Sequence, residues 1–171
     1  MSRVELEKLA DDLGVMRVAK HVAPLFKPPD YRNPTWRAFK LTGEDVAEGT
    51  KRGRDPGLSV FDTERATPEN AVDIRDFFER RYRQRPLGPA SVYATNAVRV
   101  REATQRADIA AFHDPLPDPE DETRQWAREG ARGHAVIEGL YESDPDKQES
   151  ADYKAMLAKV AKATDRIFES P

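Results

Sequence analysis

Residues 58–85, LSVFDTERATPENAVDIRDFFERRYRQR, carry the change from strand to helix on which the reading of the fold turns. Leu58-Ser-Val-Phe-Asp62 is a short apolar run with a β-branched residue at its centre, which predicts a strand. Thr67-Pro68 follows, a capping threonine with proline at the first helical position, where proline's missing N–H costs nothing. The helix it starts places Ala71, Val72, Ile74, Phe77, Phe78 and Tyr82 along one broad face. It stops before Pro86, whose ring cannot continue a helix.

Downstream the alternation continues. Ser91 to Ala94 predicts a third strand, and Thr95 can cap a helix holding Ala97, Val98, Val100 and Ala103. Asp108 to His113 predicts a fourth strand, closed by Pro115. A proline- and acid-rich loop follows, then a short helix around Thr123 to Ala131 and a fifth strand from His134 to Leu140. The last helix is expected over roughly Gln148 to Phe168, with Tyr153, Met156, Leu157, Val160, Ala161, Ala163, Ile167 and Phe168 on its apolar side.

Upstream, Val4, Leu6, Leu9 and Leu13 space as one short helix. Met16, Val18, Ala19, Val22 and Leu25 space as a second. The prolines of KPPDYRNP, residues 27–34, favour an extended crossing segment. Trp36 to Leu41 alternates as a first strand, and Thr42 can cap a helical turn or loop to Gly49. The expected fold is therefore α+β. It has a mixed sheet of about five strands with packed helices, two short N-terminal helices and a long C-terminal helix. The 171 residues are the size of one domain. Residues 1–35 are expected to wrap an α/β core formed by 36–171.

Composition excludes several classes. With no cysteine there is no disulfide framework, thiol nucleophile or thiolate metal site. The first residues, MSRVELEKLADD, lack the apolar run of a signal peptide, and no later stretch is apolar enough to span a bilayer. Cytoplasm is the expected location, with no membrane partner. The net charge of −3 is unevenly spread. Residues 32–106 hold 15 Lys and Arg against 11 Asp and Glu, whereas residues 107–150 hold 4 against 12. A polarised surface follows, without identifying a partner.

Three short motifs carry a resemblance. Leu58-Ser-Val60, Asp114-Pro-Leu-Pro117 and His134-Ala-Val-Ile-Glu-Gly139, with a Lys/Ala-rich last helix, resemble a group of small uncharacterised bacterial proteins. That group shows an LSV strand, a DPLP turn and an HA-x-hydrophobic-x-Gly strand. The likeness covers roughly the last two thirds of the chain. The chain departs from it by inserting EDETRQWAREGAR and by placing Gly133 before the histidine. The resemblance implies a fold pattern and no chemistry.

Candidate sites compete with plainer roles. His113 ends one expected strand and His134 begins another; on neighbouring strands the rings could meet, with Asp114 and Glu138 near, for metal or acid–base work. No metal-ligand spacing such as H-E-x-x-H accompanies them. The simpler role for His134 is a hydrogen bond to backbone that holds the DPLP turn. Arg37, Ser59 and Glu138 stand in an order similar to ADP-ribosyltransferase-like enzymes. That resemblance implies an arginine on the phosphate or ribose of NAD and a glutamate orienting the ribose. Solvent-facing strand positions explain the three residues more simply.

Arg80, Arg81, Arg83 and Arg85, with Lys51, Arg52 and Arg54, could form a phosphate-binding face. A solvated helix C-terminus explains the first four equally well. Asp114, Asp118, Glu120, Asp121 and Glu122 lack the D-x-D-x-D-G pattern of a calcium loop. The nucleotide-binding and hydrolase signatures G-x-x-x-x-G-K-[ST], G-x-G-x-x-G and G-x-S-x-G are absent. The leading expectation is a non-enzymatic binding or protein-interaction domain without metal or cofactor. The alternatives are a small enzyme built on Arg37, His113, His134 and Glu138, and a weak nucleic-acid binder.

Overall fold

The computed structural model describes residues 5–22, 25–27, 30–116 and 131–170. Six strands make one sheet: β1 (Val15–Lys20), β4 (Gly57–Asp62), β5 (Ala90–Thr95), β6 (Ala110–His113), β7 (His134–Glu138) and β8 (Asp165–Ser170). Their order is β6-β7-β4-β1-β5-β8. Every pairing between these neighbours is antiparallel, so the sheet is not mixed as expected. A separate ribbon pairs β2 (Phe26–Lys27) with β3 (Asp30–Pro34). The helices are α1 (Gly43–Arg52), α2 (Pro68–Arg83), α3 (Ala97–Thr104), α4 (Pro145–Gln148) and α5 (Ala151–Lys162). The chain is thus α+β. Among the described residues no helix is long and apolar enough to cross a membrane.

Two apolar layers flank the sheet. On one side Met16, Val18, Phe61, Val92 and Phe168 meet Ala71, Val72 and Ile74 of α2. On the other, Val15, Leu58, Val60, Tyr93, Ala135 and Ile137 meet Val100 of α3 and Tyr153, Leu157 and Val160 of α5. The α2 start is built as its sequence predicts. The Thr67 hydroxyl accepts from the Asn70 N–H and the Asn70 side chain accepts from the Thr67 N–H, both at 3.1 Å. Thr67→Ala should therefore lower stability by about 0.5–2 kcal/mol in a urea titration. An unchanged midpoint would show that the cap contributes nothing. Thr42 makes the same reciprocal arrangement with Asp45 and starts a ten-residue helix rather than a single turn.

Among the described residues, the two N-terminal helices are not formed. Residues 5–13 run irregularly along the β6 edge, where Lys8 bridges Phe112 and the Leu9 N–H donates to the Ala111 carbonyl. Val15–Lys20, expected in the second helix, is the inner strand β1. Both faces of β1 are covered, so Val15, Met16, Val18 and Ala19 are all buried, and two-sided burial removes the alternation by which a strand is recognised. The segment thus belongs to the sheet and does not wrap it.

Two further elements differ. Trp36–Phe39, expected as a strand, is one turn of 3₁₀ helix with Ala38 and Phe39 buried. The spacing of Trp36 and Phe39 fits a single turn as well as a strand. The last helix begins after its cap Ser150 and ends at Lys162, and Ile167 and Phe168 lie in β8. Phe168 packs with α2 while α5 lies on the other side of the sheet. One straight helix cannot reach both layers, so the chain turns at the sheet edge. The helix expected at 123–131 and most of the acidic loop lie outside the described residues.

Gly139 of the HAVIEG motif has φ of +102°, and a Cβ there would approach Ile109 Cδ1 to 2.9 Å. Both the conformation and the contact require glycine. At the β8 edge the pairing register shifts opposite Val92 and Tyr93, leaving Ile167 as the extra residue between the charged Arg166 and Glu169. A bulge and edge charges oppose pairing with another chain.

Candidate functional site

β6 and β7 are neighbours, but their histidines do not meet. His113 is opposite Ala135, so by the pleat it lies on the other side of the sheet from His134. His113 Nδ1 sits 2.9 Å from Arg65 Nη1. A guanidinium only donates, so this nitrogen accepts and the ring proton lies on Nε2. Arg65 also binds the buried Asp62 carboxylate at 2.8 Å.

His134 is buried and fully engaged. Its Nδ1 lies 2.7 Å from the Asp114 carbonyl oxygen, and its Nε2 lies 2.6 Å from Ser59 Oγ. A carbonyl can only accept, so Nδ1 carries the proton and Nε2 accepts from the Ser59 hydroxyl. The first of these bonds ties His134 to the start of the DPLP turn. The second joins β7 to β4, on the face where Ser59 stands opposite Val136. The Phe61 ring meets the imidazole edge-on, with centroids 5.5 Å apart. Asp114 Oδ2 is 3.7 Å from Nδ1, beyond a hydrogen bond, and that carboxylate is held by Arg52. Burial lowers the His134 pKa below the usual histidine value, against the Asp114 carbonyl and the charges of Asp114 and Asp45, so the ring is neutral.

Two half-buried arginines, Arg17 and Arg75, lie near the pair. β1 pairs with β4 only through Val15 and Met16. Beyond that point Arg17 fills the fork: its Nη1 donates to the Ser59 carbonyl at 2.8 Å and its Nε to the Ala38 carbonyl at 2.9 Å. Burial pulls the Arg17 pKa down to about 10, with Asp45 opposing the shift and Arg75 adding to it. Arg75 reaches in from α2, and its buried Nε has no hydrogen-bond partner. A crevice of about 30 Å³ between α1 and α2 runs down to Arg75, bordered by Glu44, Phe78 and Tyr82. That volume is far below the ~300–1,000 Å³ of a typical small-molecule pocket.

The other expected residues separate. Glu138 lies on the His134 face, where Arg54 Nη2 binds it at 2.8 Å with both side chains under a tenth exposed. Arg37 is exposed on the 3₁₀ turn, with its guanidinium 5.0 Å from the Trp36 ring centroid. Lys154 of α5 shares that ring, which places Arg37 on the α5 side of the sheet, away from Glu138. The order Arg37, Ser59, Glu138 therefore does not become one cleft. Among the described residues no group of three His, Asp or Glu is placed to hold a metal ion.

The basic run is largely neutralised. Arg80 pairs with Asp76, Arg83 with Glu79 and Glu44, Arg85 with Glu79, and Arg52 with Glu48 and Asp114. Arg81 lies over the Phe77 ring. Along α2, Phe78 and Tyr82 stack within 4° of parallel, with Phe77 edge-on to Phe78, and both phenylalanines are half-buried. Tyr82 is 69% exposed. The roles of Arg17, Asp45 and Arg75 are not signalled in the sequence. Arg17 lay in the expected second helix, and Arg75 on the polar flank of α2. No protein-family model, curated protein or solved structure matches the chain.

Proposed function

We propose that the chain is a protein-binding domain whose contact surface is the outer face of α2. The observation that carries this reading is Tyr82, 69% exposed and stacked on the half-buried Phe78, with Arg83 beside them. Aromatic rings held rigid at the surface lose little entropy on binding, and Tyr and Arg dominate interface hot spots. The paired arginines also support protein over nucleic acid. A cation already bound to Asp76, Glu79 or Glu44 must release that acid before it can neutralise a phosphate.

A photo-crosslinking benzoylphenylalanine at position 82, irradiated in the native cells, tests the reading. We expect a discrete protein adduct, greatly reduced by Phe78→Ala, and none from the same group at position 102 on α3. Adducts to RNA or DNA at position 82, or equal yields from both positions, would overturn it. In the same terms, affinity for mixed RNA or DNA should be weaker than roughly 10⁻⁵ M near physiological salt.

A further inference from the structure

We propose that Ser59 is an activated nucleophile that accepts short acyl groups from small esters, with His134 as its general base. The geometry carries the inference. Ser59 Oγ donates to Nε2 at 2.6 Å, and Nδ1 donates to a backbone carbonyl at 2.7 Å, so tautomer and ring orientation are both fixed. A nucleophile, a base and a third group that orients the base are the three parts this chemistry needs. The Asp114 carboxylate lies 3.7 Å from Nδ1, where its charge is shared with Arg52. Near enough for its charge to act on His134, Arg75 carries a buried N–H without a partner, the kind of donor a developing oxyanion requires.

The His21–Ser91 pair offers a contrast. It is equally short at 2.6 Å, but Ser91 is completely buried, whereas Ser59 is only half-buried. Ser59 keeps part of its surface open to solvent, and the close packing of α1 and α2 beside it limits the substrate to small esters.

In the reaction Ser59 Oγ attacks the ester carbonyl as its proton passes to His134 Nε2. The carbon–oxygen bond to the alcohol then breaks, and His134 returns that proton to the departing alkoxide. Water repeats the sequence on the acyl-serine, releases the carboxylic acid and restores Ser59. No oxidant or cofactor is needed.

Methanesulfonyl fluoride, a small probe of activated serines, tests this on the full chain. Sulfonylation should add one methanesulfonyl group, which peptide mapping places on Ser59, at roughly 10²-fold the rate in His134→Gln. Wild-type protein alone supplies a second readout. Asp114 just past β6, Asp45 on α1 and Arg75 on α2 act on the imidazole, while Arg17 of β1 reaches only the Ser59 carbonyl. With the ring neutral among them, the labelling rate should reach a plateau below pH 6.5, the ordinary histidine value. Folded protein left unmodified at Ser59, modification at Ser91 instead, or a rate that climbs with hydroxide and never levels would each overturn the proposal. The pH profile decides the matter even if His134→Gln does not fold.

Discussion

Phe61→Ala is expected to destabilise the fold by about 3–5 kcal/mol, the range for a buried phenylalanine truncated to alanine. Phe61 is 2% exposed and packs with Met16 and the α2 residues Ala71 and Ile74. It lies on β4, between β7 and the inner strand β1, where strands on either side limit collapse into the vacated space. The ring also supports His134 edge-on, so the variant loosens the imidazole as well as the core. Urea denaturation followed by tryptophan fluorescence measures the loss. A shift under about 1 kcal/mol would mean that the α2 layer does not depend on this ring. Phe77 is a weaker target than its place on the helical stripe implies, because it is only half-buried. Phe77→Ala should cost less than Phe61→Ala.

Glu79→Gln should cost about 2–3 kcal/mol, somewhat below the ~3–5 kcal/mol of breaking a fully buried pair. Glu79 is 3% exposed and receives Lys20 at 3.4 Å, Arg85 at 3.3 Å and Arg83. The reduction reflects Arg83 and Arg85, which remain more than one third exposed and can return to water. The same group imposes a pH dependence. Burial opposes ionisation of Glu79, but hydrogen bonds from Arg83 and Arg85 and the charge of Lys20 outweigh it and hold the carboxyl below 4.5. A carboxyl depressed in the folded state binds fewer protons there than in the unfolded chain. Its contribution is therefore complete above pH 4.5 and disappears as pH falls through the lower folded value. Stability of the wild type should drop more steeply than that of Glu79→Gln below pH 4.5. Parallel curves for the two proteins would remove Glu79 from the account.

The elements legible in the sequence are those whose signals are local. The Thr67-Pro68 start of α2 is a contact between residues three apart, so the chain within one turn determines it. β4, β5 and β7 show as short apolar runs between turn residues, although β7 stops at Glu138, before the Gly139 and Leu140 expected in it. The bond from His134 to the turn at Asp114 was legible because the two segments, though 20 residues apart, were expected on adjoining strand ends.

What the sequence could not decide depends on partners far along the chain. Val15–Lys20 has apolar spacing compatible with a helix, and it is a strand because β4 and β5 offer hydrogen bonds on both sides. Ile167 and Phe168 continue the apolar stripe of α5, yet Phe168 is drawn to the α2 layer on the opposite face. Ser59 and His134 stand 75 residues apart and meet only through the β4–β7 register. A shift of one residue would have sent their side chains to opposite faces. Arg17 and Arg75 read as ordinary surface charges until the fork between β1 and β4 encloses one and α2 presses the other inward. A guanidinium carries no local mark of its burial, because burial is a property of what the rest of the chain packs over it.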